Sequence, residues 1–173
     1  MSAPIVIVEY DQEWPRRYEA KRDRIMEKIG SEISAIEHIG TTAVPGVCAK
    51  PVIDMMVAVP GPGKADGLLT ALSQIGYEDV TKIEDNDEWF HCLGRGSCAL
   101  YYHLHLVKAD SEHWRRHIAF RNYLRAHPDT ALEYCRLKRA LARMYRTQRE
   151  KYTESKTEFI ERVVAEARGD PAL

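Results

Sequence analysis

An aspartate inside an apolar run is costly to bury unless it is paired, bound to an ion or open to a polar cleft. Asp54 sits in such a run, "PVIDMMVAV", flanked by Val52, Ile53, Met55, Met56 and Val57. Upstream lies "EHIGTTAVPGVCAK", where Gly40 and Gly46 permit close backbone approach and Thr41 and Thr42 add hydroxyls. A loop of this kind can turn N–H groups and hydroxyls towards an anion, and Lys50 adds a point charge. A structural turn is the other reading, since the spacing is not that of a GxxxxGK[ST] phosphate loop. Asp54 itself reads equally well as the partner of a neighbouring Arg or Lys. Downstream, His103 and His105 alternate along "YYHLHLV", so both point to one face of a strand. With Asp54 they make a two-histidine, one-carboxylate set, and His38 is a further candidate ligand. Imidazoles in such a set shift preference from magnesium towards zinc, iron or manganese. Two other readings stay open: neutral histidines that donate to a substrate phosphate or to Asp54, and a histidine that merely fills the core.

The second half of the chain supplies cations. Arg121 and Arg125 are four apart on one helical face, and Lys138 and Lys156 follow on later helices. Together they could form an anion clamp over the glycine-threonine loop, although each alone reads as an exposed helical cation. Glu84, Asp85, Asp87 and Glu88 form an acidic turn, which lends a carboxylate only if it folds back; a solvated turn is favoured. His113 and His117 read as surface residues and His127 as a helix end. Tyr10, Trp14 and Tyr18 read as core in preference to a stacking wall for a base. Cys48, Cys92, Cys98 and Cys135 form no CxxC pair and read as reduced thiols.

Hydrophobic periodicity predicts the elements that must position these groups. A helix opens at Trp14-Pro15 and stops at Gly30. Strands span 33–39 and 51–59, "PGPG" turns the chain at 60–63, and a helix covers 65–75. A strand at 77–83 precedes a hairpin that turns at Arg95-Gly96. From Ser111 the pattern is helical, broken at His127-Pro128. A long helix then runs from Asp129 to about Lys151, and a last one from Thr153 to Ala167. The expected organisation is a mixed α/β region over 1–109 and a helical region over 110–173. With 173 residues, 45% of them hydrophobic, the chain can bury one core. The net charge of -1 gives no ground for a nucleic-acid partner. No apolar run approaches the roughly 20 residues of a membrane span, and the N-terminus lacks the basic start of a signal peptide. A cytoplasmic location, with no membrane partner, is expected.

The stretch "EHIGTTAVPGVCAKPVIDMMV" resembles the signature of the GrpB family. The similarity continues in "VEYDQEWPRRYE", "YYHLHLV", "FRNYLRAHPDTALEYCRLKRAL" and "YTESKTEFI", nearly the whole chain. That resemblance implies an α/β fold of the nucleotidyltransferase type, a small mixed sheet with a C-terminal helical bundle and a cleft between them. In that superfamily a Gly-Ser loop is followed, on the next strand, by Asp-x-Asp/Glu, whose carboxylates hold divalent metal against nucleotide phosphates. Gly40-Thr41 stands in the Gly-Ser place and Asp54 in the first carboxylate place. Met56 stands in the second, a departure from the two-magnesium pattern. The family's "FRxYLRxHP" and "YxxxK" patterns raise Arg121, Arg125 and Lys156 above the other cations. The resemblance implies that a nucleotide or other phosphorylated small molecule is bound, and transferred or hydrolysed, around Asp54 with a divalent metal. The alternative is a non-catalytic anion-binding or scaffold module, tied to coenzyme A chemistry through relatives fused to dephospho-CoA kinase. A second copy of the chain is a further partner compatible with this reading.

Overall fold

The structure, a computed structural model, describes residues 4–61, 65–85, 88–97 and 100–171. Helix α1 (Trp14–Ile29) leads into β1 (Ala35–Ile39). A short 3-10 turn, Thr41–Ala43, and a loop lead to β2 (Val52–Val59) and then α2 (Ala65–Ser73). Strands β3 (Glu78–Asp85), β4 (Glu88–Ser97) and β5 (Leu100–Lys108) follow. The five strands form one sheet in the order β1-β2-β5-β4-β3. β2 runs antiparallel to β1 and parallel to β5, which makes the sheet mixed.

Strand alternation divides β2 between two tasks. Ile53, Met55, Val57 and Val59, with Leu104 and Leu106 of β5, pack against Trp14, Ile25 and Ile29 of α1 and against Leu68 and Leu72 of α2. Each such side chain, fully removed from water, is worth about 1.5–3 kcal/mol. Asp54 and Met56 face the other way. Met56 joins Ile39 and Val107 in a small cluster under Trp114 and Ile118 of α3 (Glu112–Ala126).

Ser111 caps α3, its hydroxyl accepting from the Trp114 N–H at 3.2 Å. The break at His127 is where the sequence places it, and α4 (Pro128–Tyr145) starts directly after. The long helix expected to reach Lys151 stops sooner. Arg146 takes φ 28°, and its carbonyl accepts from Ile5 N–H at 2.7 Å, tying down the N-terminal arm. The chain then forms α5 (Arg149–Glu154) and α6 (Thr157–Gly169). That break turns Tyr152 inward, where it is 1% exposed. The hairpin also differs from its expected form. The β4–β5 ladder runs through Arg95↔Tyr102 and Gly96↔Tyr101 to Ser97↔Leu100, so Arg95 and Gly96 lie within a strand. A Cβ on Gly94 would sit 2.2 Å from the Tyr101 hydroxyl, so glycine there makes room for a ring, not a turn. The 60–63 turn falls mostly outside the described residues, as do the side chains of the acidic 84–88 segment.

The helical part packs directly on the loop that precedes β2. Val44, Val47 and Cys48 share a cluster with Leu124, Tyr134, Cys135, Phe159 and Val163. Through this contact runs a disulfide, Cys48–Cys135, joining residues 87 apart in sequence. It corrects the reading of both as reduced thiols: two cysteines that fold brings to a Cα–Cα distance of 5.5 Å are within bonding reach. Among the described residues no helix is long and apolar enough to cross a membrane.

Candidate functional site

Register places the chemistry. Asp54 is paired with Ile39 on β1 and with His103 on β5, while Met56 lies beside His105. The three polar residues therefore project from one face. His103 Nδ1 lies 3.0 Å from Asp54 Oδ1, and His105 Nε2 lies 3.6 Å from the same oxygen. Burial works to raise the Asp54 pKa; the imidazoles on its oxygen outweigh that and hold it well below the usual carboxylate range. An ionised carboxylate only accepts, so His103 donates through Nδ1.

Gly40 makes the approach to this carboxylate. Its φ of 71° suits glycine. A Cβ there would lie 2.7 Å from Asp54 Oδ2. The 3-10 turn after it sets Thr41 at the mouth of a cavity of about 220 Å³, lined by Gly40, Thr41, Lys50, Asp54, His103 and Lys156 among others.

Three lysines converge on that cavity. Lys138, 3% exposed, donates from Nζ to Thr41 Oγ1 at 2.8 Å and to the Cys48 carbonyl. Lys50 and Lys156 place Nζ 4.4 and 4.5 Å from the centre of the Tyr152 ring, and Lys138 lies 4.8 Å from that of Tyr134. Burial, then the neighbouring ammoniums of Lys156 and Lys50, pushes Lys138 down to about 7. Burial and then Lys50 push Lys156 down to about 8, against the pull of Asp54. Lys50 is lowered by burial and then by Arg149. These cations are crowded and short of counter-charge, the state in which an incoming anion gains most.

The structure brings together Asp54, His103, His105, Gly40, Thr41, Lys50 and Lys156, and Thr42 lines the same cavity. His38 lies elsewhere. It projects from the opposite face of β1, stacked on Tyr18 at 4.6 Å, with Nε2 3.0 Å from Thr42 Oγ1, and burial pushes it down to about 4. Among the described residues, the histidines and acids that could share one ion are Asp54, His103 and His105, without His38. Arg121 and Arg125 line a different cavity beyond the Thr41–Val47 segment, as does Gly46. Arg121 is engaged by Glu37 Oε2 at 2.6 Å and by the His38 carbonyl. Arg125 donates from Nε to the Ala43 carbonyl at 2.9 Å.

Tyr134 and Tyr152 are site residues that sequence reasoning passed over, whereas Lys138, read as one cation of the clamp, lines this cavity. A signal was there: "YCRLK" and "YTESK" repeat the same spacing, a tyrosine one helical turn before a lysine. His113 and His117, read as surface, tilt against the His105 ring, with centroids 6.5 and 6.2 Å from it. Burial pushes His113 down to about 3 and lowers His117 as well.

The fold and the cleft define the class. A poly(U) polymerase solved with its short product ApU superposes with a TM-score of 0.50 at 11% identity, over 70% of this chain and 37% of that one. At that identity the likeness is one of fold, nucleotidyltransferase-like. A crystal structure of the conserved protein GrpB from Enterococcus faecalis matches far more fully, with a TM-score of 0.83 and 32% identity over 94% of this chain and 96% of that one. The family model described as GrpB protein matches residues 4–166. This chain belongs to the GrpB family. It is 33% identical to a UPF0157 protein of Pseudomonas aeruginosa over 94% of this chain and 67% of that protein. A dephospho-CoA kinase of Mycolicibacterium paratuberculosis is 33% identical over 47% of this chain and 21% of that enzyme.

Proposed function

We infer that the chain binds a nucleotide or another phosphorylated small molecule by its phosphate, with Asp54 and His103 poised to transfer or hydrolyse it. One observation carries this reading: three buried or half-buried lysines and the Gly40-Thr41 turn enclose the same cavity as an ionised carboxylate. Such crowding suits a phosphate dianion. His103, donating through Nδ1 to Asp54, presents Nε2 as the acceptor for a proton from an attacking water or hydroxyl. The lysines then hold the charge that develops on the phosphoryl oxygens.

The two-magnesium arrangement of the fold family does not fit these residues. Met56, where a second carboxylate would stand, is sealed in the cluster under α3. A single ion with imidazole preference does fit, held by Asp54, His103 and His105, and His103 would then serve as a ligand in place of a proton acceptor. Zinc, iron or manganese bound there would supply Lewis acidity next to the phosphate site.

Met56 also favours a second reading, a non-catalytic module that keeps the anion cleft. The kinase relative gives that reading a ligand to try. Calorimetric titration with pyrophosphate, ATP and dephospho-coenzyme A, each with and without zinc or manganese, tests both. Anion binding that disappears in Lys156→Ala supports the phosphate site, and its persistence in that variant removes it. Phosphorus NMR then separates the readings: turnover abolished in Asp54→Asn identifies an enzyme, and binding without turnover identifies the module.

A further inference from the structure

The cavity beyond the Thr41–Val47 segment has a volume of about 640 Å³. That falls within the roughly 300–1,000 Å³ of small-molecule sites. Its wall at the α3–α4 corner is apolar, from Leu124, Pro128, Ala131 and Leu132, with Tyr10 and Tyr18 opposite. Leu132 is 48% exposed, a large apolar side chain left at the rim. Four ionisable carboxylates and guanidiniums face this space: Glu19, Glu37, Arg121 and Arg125. Two of them cancel, because Arg121 and Glu37 form a closed ion pair at 2.6 Å. Arg121 is further spent on the His38 carbonyl and on Asn122 Oδ1. Glu19 also lines the space and is exposed to solvent.

Arg125 is the exception. Its Nε is fixed on the Ala43 carbonyl, which orients the guanidinium plane. Among the described residues no carboxylate forms an ion pair with it, and its two terminal nitrogens carry no hydrogen bond. A guanidinium anchored at Nε and open at its fork is shaped for one carboxylate. Of the two guanidiniums only Arg125 presents an open fork, which suits a single carboxylate, whereas the three-lysine cavity suits a dianion.

We propose that this cavity binds a small amphipathic carboxylic acid, its carboxylate on the fork of Arg125 and its apolar body against Leu124, Ala131 and Leu132. The site is separate from the phosphate site and does not depend on it.

The test uses 1-naphthoate and its uncharged analogue 1-naphthalenemethanol as probes on the full chain, read by saturation-transfer NMR and by thermal midpoint. Naphthoate is expected to bind about tenfold or more tightly than the alcohol, the worth of one charged hydrogen-bonded contact. Arg125→Gln should erase that preference. Leu132→Glu, a rim change that leaves the core alone, should weaken naphthoate through like-charge repulsion. Lys156→Ala, in the other cavity, should leave naphthoate binding as it was. The proposal is overturned if the two probes bind alike, if naphthoate fails to bind at millimolar concentration, or if Arg125→Gln binds naphthoate unchanged. Loss of naphthoate binding in Lys156→Ala would overturn it too, by moving the probe to the phosphate site.

Discussion

Ile53 and Asp54 are neighbours on β2 and face opposite sides of one sheet. On the α1–α2 side, β2 buries Ile53, Met55, Val57 and Val59 completely, in contact with other apolar side chains. On the other side the same strand alternates a carboxylate with Met56, and the carboxylate meets two imidazoles and a glycine. The core side tolerates no polar atom without a partner. The cleft side tolerates a charge because donors were placed around it. A strand of this kind takes its stability from one set of alternate residues and its chemistry from the other, so substitutions on the two sides should separate stability from binding.

The largest effect expected is on the staple between the halves. Removing Cys48–Cys135 frees a loop closed over 87 residues. In the chain-entropy account this costs about 4 kcal/mol of stability, read by urea unfolding of the Cys48→Ala, Cys135→Ala double variant. Ile53→Ala should follow, at about 3 kcal/mol for a buried side chain that leaves a cavity, with phosphate-ligand affinity unchanged. If affinity fell in parallel, the two sides would not be separable. Gly40→Ala is expected to cost about 1–3 kcal/mol in backbone strain and also to displace Asp54, so stability and binding should drop together there. Asp54→Asn should be the reverse of Ile53→Ala: it leaves the apolar packing of β2 alone and loses ion binding, its stability cost limited to the imidazole contacts that outweigh burial in the carboxylate.

A last effect is one of pH, and its sign is definite. Lys138 and Lys156 are held at about 7 and about 8 in the fold, below the ordinary 10.5 of a lysine. Between those values the unfolded chain carries more protons than the folded one, so stability of the free protein should rise as pH climbs from about 7 to 10. Pyrophosphate should flatten that rise by restoring the folded-state charge. A midpoint that falls over this window in the free protein would remove the lysine cluster as described.

Much of this was legible beforehand, for reasons that differ by residue. Alternation alone puts Asp54 on the face away from Ile53, and places His103 and His105 on a common side. The likeness to the GrpB signature supplied the mixed sheet and the helical region. His38 could not be assigned to a face from sequence, because that depends on where β1 meets β2. Pairing of Ile39 with Asp54 turns His38 to the other side. Arg121 and Arg125 share a helix face with each other but not with the lysines, and only the packing of α3 on the Thr41–Val47 segment reveals it. The end of α4 at Arg146 has no glycine or proline to announce it. Cys48 and Cys135 are too far apart in sequence for spacing to suggest a bond.

Two-part proteins often admit ligands as a clamshell does, by swinging the parts away from each other. The bond between Cys48 and Cys135 forbids that motion here. It rivets the segment carrying Thr41 and Lys50 to the helix carrying Tyr134 and Lys138, close to the cavity on both sides. The bond does not span α5, with Tyr152, or Lys156 after it, so the cavity has one riveted wall and one that is not.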